Sequence, residues 1–168
     1  MSRLDSFIRR LEAQRACLDW AANLVGAVDG DVLELGLGNG RTYDHLRKLF
    51  PNRVIYVCER SVSAHPDCIP PSSFLLLGDM RETLPAVRSR FADRIALAHL
   101  DAGTGDVEAS RTLADEITPL IVPLLRADGL LVSEPILSAD ELFPLPLPLG
   151  IEPGRYNLYR RISCRSQS

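Results

Sequence analysis

The sequence lacks the long apolar runs and paired cysteines that mark several classes of protein. No stretch offers the roughly 20 consecutive apolar residues of a membrane-spanning helix, and the charged first fifteen residues contain no apolar signal-peptide core. Its four cysteines (Cys17, Cys58, Cys68 and Cys164) form no C-x-x-C pair, so we expect neither a zinc site nor a disulfide framework. These absences predict a reduced, cytoplasmic protein that has no membrane partner.

Basic residues are not in excess either. Lysine and arginine together number 19 against 22 aspartates and glutamates, which leaves a formal charge of −3 and a pI near 5.6. Large nucleic-acid-binding surfaces usually carry an excess of positive charge, so we expect no nucleic-acid partner. With 168 residues, 46% of them hydrophobic, the chain has the length and composition of one globular domain.

Helix and strand patterns alternate along the chain. Leu4, Leu11, Leu18 and Val25 recur every seven residues and predict one amphipathic helix over residues 3–25, packed on the domain. Later segments that are apolar on both faces are typical of parallel strands covered by helices. We therefore expect an α/β fold in which a doubly wound, mostly parallel sheet lies between two helical layers. The predicted strands are 32–35, 54–58, 74–77, 95–100, 130–133 and 155–162, and the further helices are 41–50, 81–91 and 112–125.

Prolines modify this pattern in two places. Pro119 and Pro123 should kink or divide the helix predicted over 112–125. Prolines at 144, 146 and 148 remove hydrogen-bond donors at every second position, so residues 142–153 cannot form a central strand. They could form an edge strand, a polyproline II stretch or a lid. Within a single domain, 1–168, we distinguish an N-terminal helix (1–28), a central part (30–135) and a C-terminal sheet edge (136–168).

A glycine-rich turn follows the first predicted strand. Gly36, Gly38 and Gly40 end that strand and open the next helix, so a ligand can approach the backbone and the free N–H groups of the helix. The dinucleotide motif G-x-G-x-x-G would need a glycine where this chain has Arg41. Glu59, 19 positions after Gly40, can accept hydrogen bonds from both hydroxyls of a ribose. The pattern predicts an adenosine-containing ligand and disfavours a pyrophosphate.

These residues resemble those of the class I S-adenosylmethionine-dependent methyltransferases. The first motif of that family reads acidic-x-G-x-G-x-G, and residues 34–40 fit it at every position. Glu59, the segment 78–80, Asp101 and the segment 124–132 follow in the family's order, so the resemblance covers roughly residues 30–135. It implies a seven-stranded sheet of the class I type with a leading helix, S-adenosyl-L-methionine as cofactor, and a cofactor-binding role for the central part of the chain.

The resemblance also implies roles for individual residues. The glycine loop would line the methionine part of the cofactor, Glu34 would hold its ammonium group directly or through water, and Glu59 would bind the ribose. The segment 78–80 would meet the adenine. Tyr43 and Trp20 could close over the cofactor, although core packing is the alternative for both. The predicted cofactor-binding residues are Glu34, Gly36, Gly38, Asn39, Gly40, Tyr43, Glu59, Arg60, Gly78, Asp79, Met80 and Asp101.

Asp101, at the end of the fourth predicted strand, is the candidate catalytic residue. Methyl transfer mainly needs an aligned nucleophile and the exclusion of water, and a hydroxyl nucleophile also benefits from a general base. Asp101 could be that base or an orienting group, or it could bind cofactor or cap the next helix. Magnesium-dependent small-molecule methyltransferases, which this stretch also resembles, carry two acidic residues after the fifth strand, whereas this chain has only Glu134. A hard cation needs several oxygen ligands, so we expect no metal.

Three hypotheses about activity follow. The main one is methyl transfer to a small-molecule acceptor. A cofactor-binding or regulatory protein without catalysis is an alternative, because only 35 residues follow residue 133 and no inserted segment forms a substrate pocket. Residues 142–153 and the first helix would have to complete that pocket, or a second subunit would, which makes a homodimer possible. An NAD-dependent oxidoreductase is disfavoured by the glycine spacing and by the lack of a Tyr-x-x-x-Lys pair.

Overall fold

The computed structural model describes residues 2–103 and 106–163, and Cys164 lies outside these ranges. The described helices are α1 (Arg3–Val25), α2 (Arg41–Leu49), α3 (Met80–Phe91) and α4 (Val107–Ile121). Short 3-10 turns lie at Pro66–Cys68, Ser72–Phe74 and Val122–Leu124. The strands are β1 (Asp31–Leu35), β2 (Ile55–Glu59), β3 (Leu75–Leu77), β4 (Ile95–Leu100), β5 (Leu125–Ser133), β6 (Leu142–Pro144) and β7 (Asn157–Arg161).

The strands form one sheet in the order β3-β2-β1-β4-β5-β7-β6. β1 to β5 pair in parallel, β7 runs antiparallel to β5, and β6 runs antiparallel to β7. The prediction of a doubly wound, mostly parallel, seven-stranded sheet with a leading helix is confirmed. The chain leaves β1 toward β2 and β3 and returns to β4 on the other side. The carboxyl ends of β1 and β4 therefore flank the crevice in which open α/β sheets bind ligands.

Helices cover both faces of the sheet. Leu18 of α1 and Leu46 of α2 belong to the buried cluster on one face, and Leu84 of α3 and Ile117 of α4 belong to the cluster on the other. All six residues of β4 are buried between these layers. This burial on both faces is why the strands read as continuous apolar runs, and it fixes the position at which Asp101 leaves the sheet.

The first helix is confirmed over Arg3–Val25, but its seven-residue pattern is buried only in the second half. Leu18 and Val25 are buried, whereas the side chain of Leu4 lies 66% exposed. The first turn begins with a capping box between Ser2 and Asp5, so local hydrogen bonds stabilise this end of the helix. No helix in the described part of the chain is long and apolar enough to cross a membrane.

Three predicted boundaries need correction or completion. α4 begins at Val107 and continues through Pro119, because Pro119 and Asp115, whose carbonyl lacks a proline N–H donor, are exposed to solvent, where that carbonyl can bind water. β5 begins at Leu125, because residues 128–129 form an irregularity within the strand and not a turn before it. Of the three alternatives for residues 142–153, the structure shows an edge strand at Leu142–Pro144.

Candidate active site

The loop after β1 adopts a conformation that favours glycine. Gly36 and Gly38 have φ angles of 101° and 51°. A Cβ atom on Gly36 would lie 2.6 Å from the backbone oxygen of Asp101, so glycine allows the ends of β1 and β4 to approach each other. A Cβ on Gly38 would meet nothing within 4 Å, because this residue faces the open crevice. The loop thus presents bare backbone to a ligand.

Glu59 holds this loop against the end of β2. Its carboxylate accepts hydrogen bonds from the backbone N–H groups of Leu37 (2.7 Å), Gly38 (3.1 Å), Arg60 (2.7 Å) and Ser61 (3.0 Å). Partial burial would raise the pKa of Glu59, but these donors outweigh burial and lower the pKa. Because these donors occupy about four acceptor positions of the carboxylate, a ribose hydroxyl that bonds to Glu59 would take the place of a backbone donor.

A chain of buried polar side chains runs beneath the loop. Glu34 is fully buried, accepts a hydrogen bond from the hydroxyl of Thr42 in α2, and shares one of 2.7 Å with His99 Nδ1. The other ring nitrogen of His99 lies 3.1 Å from the hydroxyl of Tyr156. Burial would lower the pKa of His99, but the Glu34 carboxylate outweighs burial and raises it. Both ring nitrogens of this fully buried histidine therefore have partners.

Helix α1 continues this chain to Asp101. The amide of Gln14 donates to the Tyr156 hydroxyl (2.7 Å) and to Asp101 Oδ2 (2.6 Å). One turn earlier, the guanidinium of Arg10 donates to Asp101 Oδ1 (3.2 Å) and to Glu134 Oε1 (3.5 Å). Asp101 does not cap α4, because the cap is the side chain of Asp106. The two carboxylates therefore share one guanidinium at the carboxyl edge of the sheet.

Two cavities meet at this edge. A cleft of about 350 Å³ lies between the glycine loop and α1, lined by residues that include Arg10, Gln14, Gly38 and Asp101. A second cavity of about 620 Å³ lies between α4 and the segment that follows β5. Gly103 and Glu134 line both. The cleft is therefore polar, carries charges of both signs, and opens into the larger cavity beside Gly103 and Glu134.

The described residues show no metal centre. Among residues 2–103 and 106–163, no group of three or more His, Cys, Asp or Glu side chains is placed to hold a metal ion. Asp101 and Glu134, the carboxylates considered for a metal from the sequence, are bridged by Arg10. That the reaction needs no metal stays a prediction.

A family model of S-adenosyl-L-methionine methyltransferases matches residues 1–161. The chain belongs to this family. The methyltransferase is 49% identical to the S-adenosyl-L-methionine methyl transferase from Silicibacter pomeroyi DSS-3, with a TM-score of 0.92 over 96% of this chain and 99% of that chain. The match decides against the oxidoreductase alternative, and the cofactor is S-adenosyl-L-methionine.

More distant structures share the fold alone. Human methyltransferase-like protein 13, solved in complex with SAH, is 11% identical, with a TM-score of 0.54 over 94% of this chain and 84% of that chain. TrmN from Thermus thermophilus is 15% identical, with a TM-score of 0.51 over 86% of this chain and 48% of that chain. No curated protein matches the sequence.

The structure brings most of the predicted cofactor residues of the methyltransferase to one edge of the sheet. Gly36, Gly38, Asn39 and Asp101 line the cleft. Gly40 is the residue before α2, and Glu59 and the exposed Arg60 lie at the end of β2. Gly78 and Asp79 follow β3, Asp79 caps α3, and Met80 is largely buried. Their roles toward the cofactor stay predictions.

Two aromatic candidates lie elsewhere. Tyr43 is 4% exposed and packs in the core with its ring beneath Arg47. Trp20 is 40% exposed and does not line either cavity. Arg10, Gln14 and Tyr156 also belong to the site and were not predicted from the sequence. A polar Gln14 within the apolar stripe of the first helix is the one signal that could have indicated a buried contact.

Proposed function

We propose that this methyltransferase acts on a small-molecule acceptor. The observation that carries the proposal is the junction at Gly103 and Glu134, where the cleft beside the glycine loop opens onto a second, larger cavity. A cavity of about 620 Å³ has the size of sites that hold small ligands. The formal charge of −3 supports a small molecule over a nucleic acid as the acceptor.

The residues of the cleft fit S-adenosyl-L-methionine. The open backbone at Gly38 suits the methionine part, and the ionised Glu59 suits the ribose. Arg10 and Asp101 offer opposite charges to the carboxylate and ammonium groups of the amino-acid end. When bound, the cofactor supplies a methyl group on a positively charged sulfur, which is already activated for transfer.

The chain's own residues then position and shield the reacting groups. Both oxygens of Glu34 are engaged by Thr42 and His99, so Glu34 acts in this arrangement by holding the first turn of α2 and the buried polar chain. The row of buried polar side chains ends at Gln14, whose amide donates a hydrogen bond to the carboxylate of Asp101 and holds it in place. We therefore assign Glu34 a positioning role, and Asp101 the role of orienting the cofactor's amino-acid end.

Calorimetric titration tests the cofactor site. We expect micromolar binding of S-adenosylmethionine and S-adenosylhomocysteine, no binding of NADH, and loss of binding in Glu59→Ala, because the variant loses both the ribose acceptor and the anchor of the loop. Glu12→Gln, which removes one exposed carboxylate of α1, is the matched control and should bind normally. Thermal melting shows whether Glu59→Ala still folds. A folded wild-type protein that binds neither ligand would contradict the proposal.

We also propose a cytoplasmic location and a homodimer. The free thiols of Cys17, Cys58 and Cys68 support a reducing compartment. The exposed apolar side chains of Phe7 and Ile8 on α1 support contact with a second copy. Sedimentation at micromolar concentration tests the homodimer, and a single species of 18.6 kDa would contradict it.

A further inference from the structure

We propose that the cavity between α4 and the segment after β5 binds an acceptor with an apolar body and a hydroxyl group, and that Glu134 takes the proton of this hydroxyl. The inference rests on the proposed methyl transfer and names the chemistry of its acceptor. Four observations support it: the lining of the cavity, the anchoring of Glu134, the contrast between Glu134 and Asp101, and the charge at the junction.

The lining of the cavity is more apolar than polar. Its apolar members include Leu100 of β4, Leu113, Ala114 and Ile117 of α4, and Ile136 after β5, and its charged members are Asp106, Arg111, Asp115 and Glu134. Burial of apolar surface stabilises a ligand by about 25 cal/mol per Å², so an apolar body gains from contact with the first group. The cavity therefore suits an acceptor whose bulk is apolar and whose reactive group lies at the junction.

Backbone hydrogen bonds hold Glu134 at this junction. Its N–H donates to the carbonyl of Leu100 (3.2 Å), and its carbonyl accepts from the side chain of Asn157 (2.9 Å). The Oε2 atom faces Gly103, because a Cβ added to that glycine would lie 3.2 Å from it. With glycine at 103, this oxygen stays open to a ligand that enters from the larger cavity.

The two carboxylates at the junction differ in the hydrogen bonds that they accept and in their exposure. Asp101 accepts from Gln14 at 2.6 Å and from Arg10 at 3.2 Å, and its side chain is 19% exposed. Within the described residues, the carboxylate of Glu134 accepts one hydrogen bond, a long one of 3.5 Å from Arg10, and its side chain is 35% exposed. Glu134 is thus the carboxylate that is free to receive a proton.

The surroundings strengthen Glu134 as a proton acceptor. Burial, and then the negative charge of Asp101, raise the pKa of Glu134, and the guanidinium of Arg10 only partly offsets them. A carboxylate that binds its proton more firmly is a better general base near neutral pH. This property supports the assignment, which rests on the position of Glu134 between the two cavities.

The proposed reaction moves one proton and one methyl group. The hydroxyl proton of the acceptor passes to Glu134, and the oxygen forms a bond to the methyl carbon. The bond from that carbon to sulfur breaks, and its electron pair stays on sulfur, which becomes a neutral thioether. Glu134 then releases the proton to solvent. No oxidant, reductant or metal ion takes part in this balance.

The charge at the junction favours a hydroxyl over the other common acceptor groups. Glu134 faces the acceptor with a negative charge that its one long contact with Arg10 offsets only in part, and this charge repels a carboxylate. The same charge would hold an amine as its ammonium ion, which has no lone pair for attack. A neutral hydroxyl can donate to Glu134 and keeps its lone pairs for the methyl carbon.

Three compounds with one apolar body test the class of acceptor. 4-Pentylphenol, 4-pentylbenzylamine and 4-pentylbenzoate are titrated calorimetrically into the protein saturated with S-adenosylhomocysteine, and are then assayed with methyl-labelled cofactor. We expect binding and methylation of the phenol and no methylation of the other two. Ile136→Ser removes an exposed apolar contact of the cavity and should weaken binding of the phenol several-fold without changing the affinity for S-adenosylhomocysteine.

Glu134→Gln tests the proton transfer. General bases contribute about 10²-fold or more to rate, so kcat for 4-pentylphenol should fall about 100-fold. The kcat for 4-nitrophenol should fall far less, because this phenol is largely ionised in water at pH 8 and has no hydroxyl proton to transfer. A merely structural defect would reduce both rates equally, and Glu12→Gln should change neither.

Three results would overturn the inference while the cofactor site stands: equal losses for the two phenols, methylation of the benzoate, or failure to bind 4-pentylphenol in a protein that binds S-adenosylhomocysteine. Failure to bind S-adenosylhomocysteine would instead contradict the proposed function.

Discussion

The glycine loop and the Asp101–Glu134 junction lie side by side at the carboxyl edge of the sheet, but they are assembled differently. The loop depends on contacts between residues close in sequence: Thr42 and Glu34 are 8 positions apart, and Leu37 and Glu59 are 22 apart. The side-chain contacts of Gln14 at the junction join residues 87 to 142 positions apart, from Gln14 to Asp101 and from Gln14 to Tyr156. The cofactor side is therefore a local motif, whereas the proposed acceptor side requires the complete domain.

His99 connects the two regions, so its removal should have the largest effect. His99→Leu leaves the fully buried Glu34 carboxylate without the partner that balances its charge. Breaking a buried ion pair costs about 3–5 kcal/mol, and we expect a loss of that size in the free energy of unfolding, measured by urea denaturation.

A double variant is the control for this prediction. Glu34→Leu combined with His99→Leu removes both members of the pair and should recover much of the loss, because no buried charge then lacks a partner. A loss below about 1 kcal/mol in the single variant would contradict the view that His99 joins the regions energetically.

The same contrast explains what the sequence could predict. The alternation of apolar runs and helical patterns predicted the sheet and its layers, and the spacing of Gly36, Gly38, Gly40 and Glu59 predicted the loop, because these signals are local. The partners of Asp101 could not be predicted, because α1 reaches this edge only through the packing of the whole domain. Local patterns misplaced the start of β5 for a similar reason, since its pairing with β4 decides where the strand begins.

Arg10 tests whether the junction also contributes to cofactor binding. If its guanidinium meets the carboxylate of the cofactor, Arg10→Gln should weaken binding of S-adenosylhomocysteine about tenfold, since a hydrogen bond to a charged group contributes about 1.5–3 kcal/mol. Binding of 5′-methylthioadenosine, which lacks the amino-acid end, should not change. Calorimetry measures both affinities, and Arg9→Gln, an exposed neighbour on α1, is the matched control. Equal losses for the two ligands would show that Arg10 acts only by holding α1 in place.

The smallest effects that we expect are changes in the free energy of unfolding with pH, and they have opposite signs at Glu59 and at Glu134. Backbone donors lower the pKa of Glu59 in the folded protein despite partial burial. Its carboxylate therefore stabilises the fold above the unfolded pKa, and this stability is lost as pH falls through the lowered folded pKa. Burial and Asp101 raise the pKa of Glu134, so its ionisation destabilises the fold as pH rises through the raised value.

Two glutamine variants test these opposite contributions to stability one at a time. At pH 7, Glu59→Gln should be less stable than the wild type and Glu134→Gln more stable, each by about 1 kcal/mol or less because solvent screens partly exposed carboxylates. The difference for Glu134→Gln should shrink as pH falls through the raised folded pKa of Glu134. The difference for Glu59→Gln should persist to lower pH and shrink only as pH falls through the lowered folded pKa of Glu59. Urea denaturation of the three proteins from pH 7 down to about pH 3 measures both. A loss of stability in both variants at pH 7 would mean that Glu134, like Glu59, is held by stabilising contacts, and it would then be a poor proton acceptor.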